Sequence, residues 1–246
     1  VTDNSVFYEA FAANYEAHYR TVDAPAAVQQ WLARMEALKL VPLEPARRAR
    51  RPTLLDLGCG PGWHLREWAT SGFSAAGMDV SPTMLRLARR NWEGAADDAI
   101  PQLFCADIRE PKQIKRLRAA YQVVVAHFNF LNLFTPVELR TVFASISTLL
   151  KFGGLLFTDL ALPAAVENAP TESNNYVRQR ERRWHLSDGE FVETYWFHSL
   201  NSVKQTAADH RLAVADAAAW LPRTASHHFA SLAEDTPKAW LALRKS

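Results

Sequence analysis

Between Thr53 and Leu160 the chain carries five short apolar runs, "TLLDLG", "SAAGMDV", "QLFCAD", "YQVVVAHF" and "GGLLFTDL", with helix-like segments between them. Strands buried on both faces read as near-continuous apolar runs, and parallel strands need crossover helices to join them. The alternation therefore predicts an α/β fold, a doubly wound and mostly parallel sheet covered by helices on both faces.

The flanks have a different texture. Residues 5–40 show helical spacing, with Val28, Trp31, Leu32, Met35 and Leu38 on one face. The prolines of "VPLEPARRARRP" then end helical structure, because they lack amide donors and bias their predecessors away from the helical region. Beyond Pro163, "NNYVRQRERRWHLSDGEFVETYWFHSL" reads as two strands joined by the turn signal "SDGE", an antiparallel hairpin appended to the sheet. "AWLALRK", Ala239 to Lys245, reads as a closing strand. The alanine-rich stretch from Ser202 to Leu232 has too weak a pattern to place.

Composition narrows the class. With 246 residues, 48% hydrophobic and 22% charged, the chain can bury one good-sized core. No apolar run approaches the roughly 20 residues needed to span a bilayer, and the opening residues lack a signal-peptide pattern, so a cytoplasmic location is expected. Cys59 and Cys105 lack metal spacing and read as reduced thiols. No metal site is expected, and His227 and His228, with no third ligand, read as surface. The net charge of +2 is too mild to make nucleic acid the leading partner. "RRARR" at Arg47 to Arg51 reads as a solvated linker.

Within this frame the turn "LLDLGCGPG" stands out, since it holds three of only 9 glycines. It follows the first strand, where ligands of open α/β sheets bind, and Gly58, Gly60 and Gly62 let a ligand approach the backbone before the next helix. The spacing is neither the dinucleotide G-x-G-x-x-G nor a P-loop. Asp79 then closes the second strand, placed to accept hydrogen bonds from both hydroxyls of a ribose. Asp107 closes the third in "CADIRE", placed to receive an adenine amino group, with Ile108 against the ring.

Taken in order, "LLDLGCGPG", "GMDVSPTML", "ADI" and "LLKFGGLLF" resemble the class I S-adenosylmethionine-dependent methyltransferases. The resemblance covers residues 5–163 most strongly and points to small-molecule members of the amino-sugar and secondary-metabolite type. It implies a Rossmann-like sheet with an antiparallel last strand and S-adenosylmethionine as cofactor, leaving S-adenosylhomocysteine as product. It further implies that Gly58, Cys59, Gly60 and Gly62 line the methionine portion and Asp79 holds the ribose. Val80 and Met84 would flank the adenine, Asp107 and Ile108 would fix it, and His127 would lie beside the sulfonium. "FYEAFAANYEAHYR" is similar to the N-terminal helix of such members, with Tyr15 and Tyr19 closing over the cofactor; Glu16 stands where an aspartate is usual. One domain over 1–246 is expected: an N-terminal helical cap (1–50), a cofactor-binding core (51–163), the hairpin (164–202) for substrate or dimerisation, and a C-terminal segment (203–246).

Methyl transfer from a sulfonium is an in-line displacement that asks mainly for alignment. An amine acceptor must arrive neutral, whereas a phenol or alcohol benefits from a base near neutral pKa. His127, Tyr8 and Asp159 are the candidate catalytic residues; His198 reads as a half-exposed strand residue. Of the hairpin aromatics Trp184, Phe191, Tyr195, Trp196 and Phe197, one set can pack while another roofs an acceptor pocket or forms a homodimer interface. The leading expectation is N- or O-methylation of a small molecule. A tRNA wobble-base methyltransferase is the alternative enzyme, disfavoured by the lack of a basic, aromatic-interleaved stripe. A catalytically silent cofactor-binding interaction protein is the non-enzymatic alternative.

Overall fold

The structure, a computed structural model of the chain, describes residues 4–19, 23–40, 51–93, 101–165, 177–186, 189–221, 228–233 and 236–246. Two helices open it, α1 (Asn4–His18) and α2 (Ala24–Ala37). There follow β1 (Thr53–Leu57), α3 (Trp63–Thr70), β2 (Ser74–Asp79), α4 (Pro82–Arg90), β3 (Gln102–Cys105), α5 (Pro111–Ile114), β4 (Tyr121–Ala126), α6 (Pro136–Leu149) and β5 (Leu150–Ala161). The rest comprises β6 (Val177–Leu186), β7 (Gly189–His198), α7 (Leu200–Asp209), β8 (Leu212–Leu221), β9 (His228–Ala230) and β10 (Lys238–Lys245).

Eight of these strands form one sheet in the order β3-β2-β1-β4-β5-β10-β8-β9. The pairs among β1 to β5 are parallel, whereas β10 runs antiparallel to both β5 and β8. The closing strand is thus antiparallel, as expected, and inserts between β5 and β8. The stretch from Ser202 to Leu232 contributes most of α7 together with β8 and β9. Alanine favours helix in isolation, but β8 gains a full ladder from β10, and tertiary pairing overrides that preference.

Alternation along the strands splits the core in two. Leu55, Val124, Leu156 and Leu241 face α6 and α7, packing on Val142, Phe143, Ile146 and Val203. Leu54, Val123, Val125, Leu155, Phe157 and Trp240 face α2 and α3, against Val28, Trp31, Leu32, Met35 and Trp68. Leu38, expected on that α2 face, instead caps the helix and is 37% exposed. Arg34 of α2 forks onto the Asp216 carboxylate of β8 at 2.9 and 3.1 Å, fastening the helix over the antiparallel edge. Proline starts α4, α5 and α6, and Thr135 with Glu138 forms a reciprocal cap on α6.

The hairpin β6–β7 is a two-stranded sheet of its own, not an extension of the main one. Several polar clamps dock β7, one of them the Asn132 amide donating to the Trp196 carbonyl at 2.8 Å. Asn4 of α1 exchanges two hydrogen bonds with the Thr194 backbone, at 2.8 and 2.9 Å, as a neighbouring strand would. His198 is completely buried, not half-exposed, and its Nε2–H donates to the Phe134 carbonyl at 3.0 Å. Of the expected linker only Arg51 lies within the described residues, and His227 lies outside them. Among the described residues no helix is long and apolar enough to cross a membrane, and no cluster of His, Cys, Asp and Glu could hold a metal.

Burial pushes the His198 imidazole down to about 4. The unfolded chain takes up this proton near the ordinary histidine pKa of about 6.5, so this group's contribution is intact above that pH and is lost as pH falls toward 4. His198→Asn is expected to flatten the decline in urea midpoint between pH 7 and 4 relative to wild type. Parallel slopes in the two proteins would show that His198 carries none of it.

Candidate active site

The carboxyl ends of β1, β2 and β4 open on a cleft. Strand order reverses between β1 and β4, which is where open α/β sheets bind ligands. Gly58, Gly60, Asp79, Val80, Met84, Asp107, Ile108, His127, Tyr8 and Tyr15 all line it, so most of the residues singled out in the sequence meet in one place.

The glycines of the turn do different work, although all three have positive φ, 64°, 51° and 80°. A Cβ on Gly58 would stand 2.6 Å from the Phe130 ring, which forms a wall of the cleft. A Cβ on Gly60 would meet nothing within 4 Å, leaving that space open to a ligand. Gly62, also expected to contact the ligand, caps α3 and is not part of the cleft lining, and its Cβ would crowd Ala88 of α4 at 3.2 Å. The buried thiol of Cys59 packs with Leu65 and Leu85 and lies against Gly77.

The acidic groups are tightly held. Asp79 is buried, and its two oxygens accept the Gly60 and Ser81 amides, each at 2.9 Å. Burial raises its pKa and those amides lower it, the first effect prevailing. A carboxylate offers about four lone pairs, so two remain for a ligand. Asp107 lines the cleft, but Arg109 grips both its oxygens, with Nη2 at 2.7 Å and Nε at 3.0 and 3.1 Å. The sequence reading missed that partner only two residues away, and it missed Asp56. Asp56 is 2% exposed, its Oδ2 meets no donor, and burial followed by the Asp79 charge lifts its pKa well above the carboxylate range.

Helix α1 roofs the cleft. Glu9 accepts from the Ser81 and Thr83 hydroxyls and from the Thr83 amide, binding α1 to the start of α4. Glu16 pairs with Arg90 at 2.6 Å and takes a hydrogen bond from Asn91, so its role is structural. Tyr15 lines the cleft, whereas Tyr19 stands outside the lining and packs on Tyr15 and Phe128. Tyr8 and Tyr195 both donate to Oε1 of the fully buried Glu193, at 2.6 and 2.7 Å. Nothing local in the sequence marks Glu193, which meets Tyr8 across 185 positions.

The three candidate bases are each differently engaged. His127 is sandwiched between Trp31 at 4.0 Å and His64 at 4.5 Å, and its Nε2 accepts the Trp68 indole N–H at 2.9 Å. Burial holds its pKa well below the imidazole range. Tyr8 donates its proton to Glu193, and burial raises its pKa well above the phenol range. Asp159 does not line the cleft; it is fully buried on the α2 side of the sheet with Lys238 Nζ 2.5 Å away.

These placements separate two substitutions in one turn. Gly60→Val is expected to abolish S-adenosylmethionine binding in calorimetry, because it fills open cleft space. Gly62→Ala is expected to cost about 1 kcal/mol or more in stability, through its positive φ, while the folded protein still binds. Equal losses of binding in both variants would refute the division of labour.

Comparison with known proteins agrees with this geometry. Residues 54–154 match the family described as Methyltransferase domain. A malonyl-acyl-carrier-protein O-methyltransferase of Erwinia pyrifoliae is 41% identical over 59 residues, 24% of this chain and 22% of that protein. The match thus spans about a fifth of that relative's length. An S-adenosylmethionine-dependent methyltransferase from Clostridium acetobutylicum superposes with a TM-score of 0.68 at 17% identity, over 97% of this chain and 99% of that one. CalS10 of Micromonospora echinaspora, an amino pentose methyltransferase solved with S-adenosylmethionine bound, gives 0.62 at 22% identity, over 94% and 96%. At such identities the likeness is one of fold. Residues 54–154 of this chain match a methyltransferase domain, and the chain shares the fold of these S-adenosylmethionine-dependent methyltransferases.

Proposed function

We propose that this chain is an S-adenosylmethionine-dependent methyltransferase whose acceptor is the amine nitrogen of a small molecule. The observation that carries this reading is the commitment of all three candidate bases. His127 has given its Nε2 lone pair to Trp68, Tyr8 gives its proton to Glu193, and Asp159 is ion-paired away from the cleft. An alcohol or phenol would need a base; a neutral amine needs only alignment and releases its proton to solvent after transfer.

The residues present fit the cofactor. Asp56, a buried carboxyl whose Oδ2 lacks a donor, lies on β1 two residues before the turn that would hold the methionine portion. Gly60 leaves room for that portion, Asp79 keeps lone pairs for ribose hydroxyls, and Val80, Met84 and Ile108 offer apolar surface to an adenine. When bound, the cofactor supplies a methyl carbon on a sulfonium, open to in-line attack. The chain's part is to orient and to exclude water. Asn4, Ser5, Tyr8 and Tyr15 cover the cleft from α1, which favours a small acceptor over a folded RNA. The named substrate of CalS10, an amino pentose, is of the same chemical kind. The two free cysteines support a cytoplasmic setting.

Asp79→Ala is expected to weaken S-adenosylmethionine binding by about 2 kcal/mol or more, some thirtyfold, since it removes ribose contacts and the anchor of the Gly60 amide together. Label from methyl-labelled cofactor, offered to matched amino and hydroxy sugars, is expected in the amine alone. Labelling of an RNase-sensitive fraction of a cell extract, or of the hydroxy sugar, would overturn the reading.

A further inference from the structure

His127 is 7% exposed, and its ring is held on every side. Trp31 covers one face, His64 the other, and the Trp68 indole donates to Nε2. A neutral imidazole that accepts at Nε2 carries its proton on Nδ1. Among the described residues no group accepts from Nδ1, yet this nitrogen is not among the buried polar atoms left without a partner, which places it at the exposed fraction of a residue that lines the cleft.

We propose that Trp68 is a positioning residue that locks His127 in the Nδ1–H tautomer. His127 is then a standing hydrogen-bond donor into the cleft for a ligand oxygen, such as a hydroxyl or carboxylate beside the reacting amine. The aromatic sandwich stops the ring from flipping to present its lone pair instead. The nearest charged and titratable groups reinforce neutrality: His64 and Lys238 both disfavour a second proton on His127, and Asp159 is occupied by Lys238. Trp68 is fully buried on α3, about 60 positions from His127 in sequence, and needs a ring N–H, not merely a large apolar side chain, to play this part.

The tautomer stands on geometry alone; the donor's service to an acceptor rests on the methyl-transfer reading. Imidazole nitrogen-15 spectra of the wild type are expected to show His127 neutral and protonated on Nδ1 at pH 6–8. Trp68→Phe, which keeps the ring and removes the donor, is expected to shift His127 toward the Nε2–H form. An Nε2–H tautomer in wild type overturns the proposal, and this arm decides even if the variant does not fold. An unchanged tautomer in a folded Trp68→Phe overturns it as well. For whichever test amine is methylated, His127→Leu is expected to lose about tenfold or more in kcat/KM, and His127→Asn, still a donor but no base, is expected to recover part of that loss. Equal losses in both would return His127 to the role of base. If no amine is methylated, the functional reading fails while the spectra still settle the tautomer.

Discussion

One carboxylate ties the cleft together. Asp79 ends β2, and its two oxygens hold the Gly60 amide from the turn after β1 and the Ser81 amide at the start of α4. Ser81 in turn caps α4 through the Met84 amide and donates to Glu9 of the roofing helix. Two strands, a helix start and the roof are thereby registered on a single side chain. Charge-assisted hydrogen bonds of this kind are short and directional, so the geometry of this part of the cleft is set before any ligand arrives.

The same economy of polar groups recurs around the cleft. Trp68 with His127, Tyr8 and Tyr195 with Glu193, and Arg109 with Asp107 each bring a donor to a buried or half-buried acceptor. An unpaired group here would cost a few kcal/mol, which explains why they are satisfied internally. It also explains why the cleft offers alignment and dipoles, with little proton chemistry. A displacement that needs no protein base suits such a site.

Short-range features were legible in the sequence: the strand runs, the glycine turn, the acidic strand ends and the antiparallel close all rest on local pattern. Partnerships over long separations were not. Neither "WHLREW" nor "GEFVETY" announces that Trp68 will meet His127 or that Glu193 will meet two tyrosines, because those contacts exist only once sheet and hairpin are stacked. Alanine-rich β8 was hidden for a related reason, its ladder being supplied by a strand that comes later in the chain. Asp107 stands at the cleft where the strand pattern puts it, while its clasp by Arg109, only two residues on, was not announced.

Just past His127 the chain places two successive non-glycine residues in left-handed backbone, Phe128 at φ 63° and Asn129 at φ 60°. Asparagine tolerates that region, but for phenylalanine it is strained, at a cost on the order of 1–3 kcal/mol. The turn nevertheless keeps a ring there, 40% exposed on the cleft wall. Stability has been given up at that point for shape. A search for hardier variants would be drawn to glycine at 128, and the molecule it selected would be tougher and blunter at once, having relaxed a bend that holds a ring on the cleft wall.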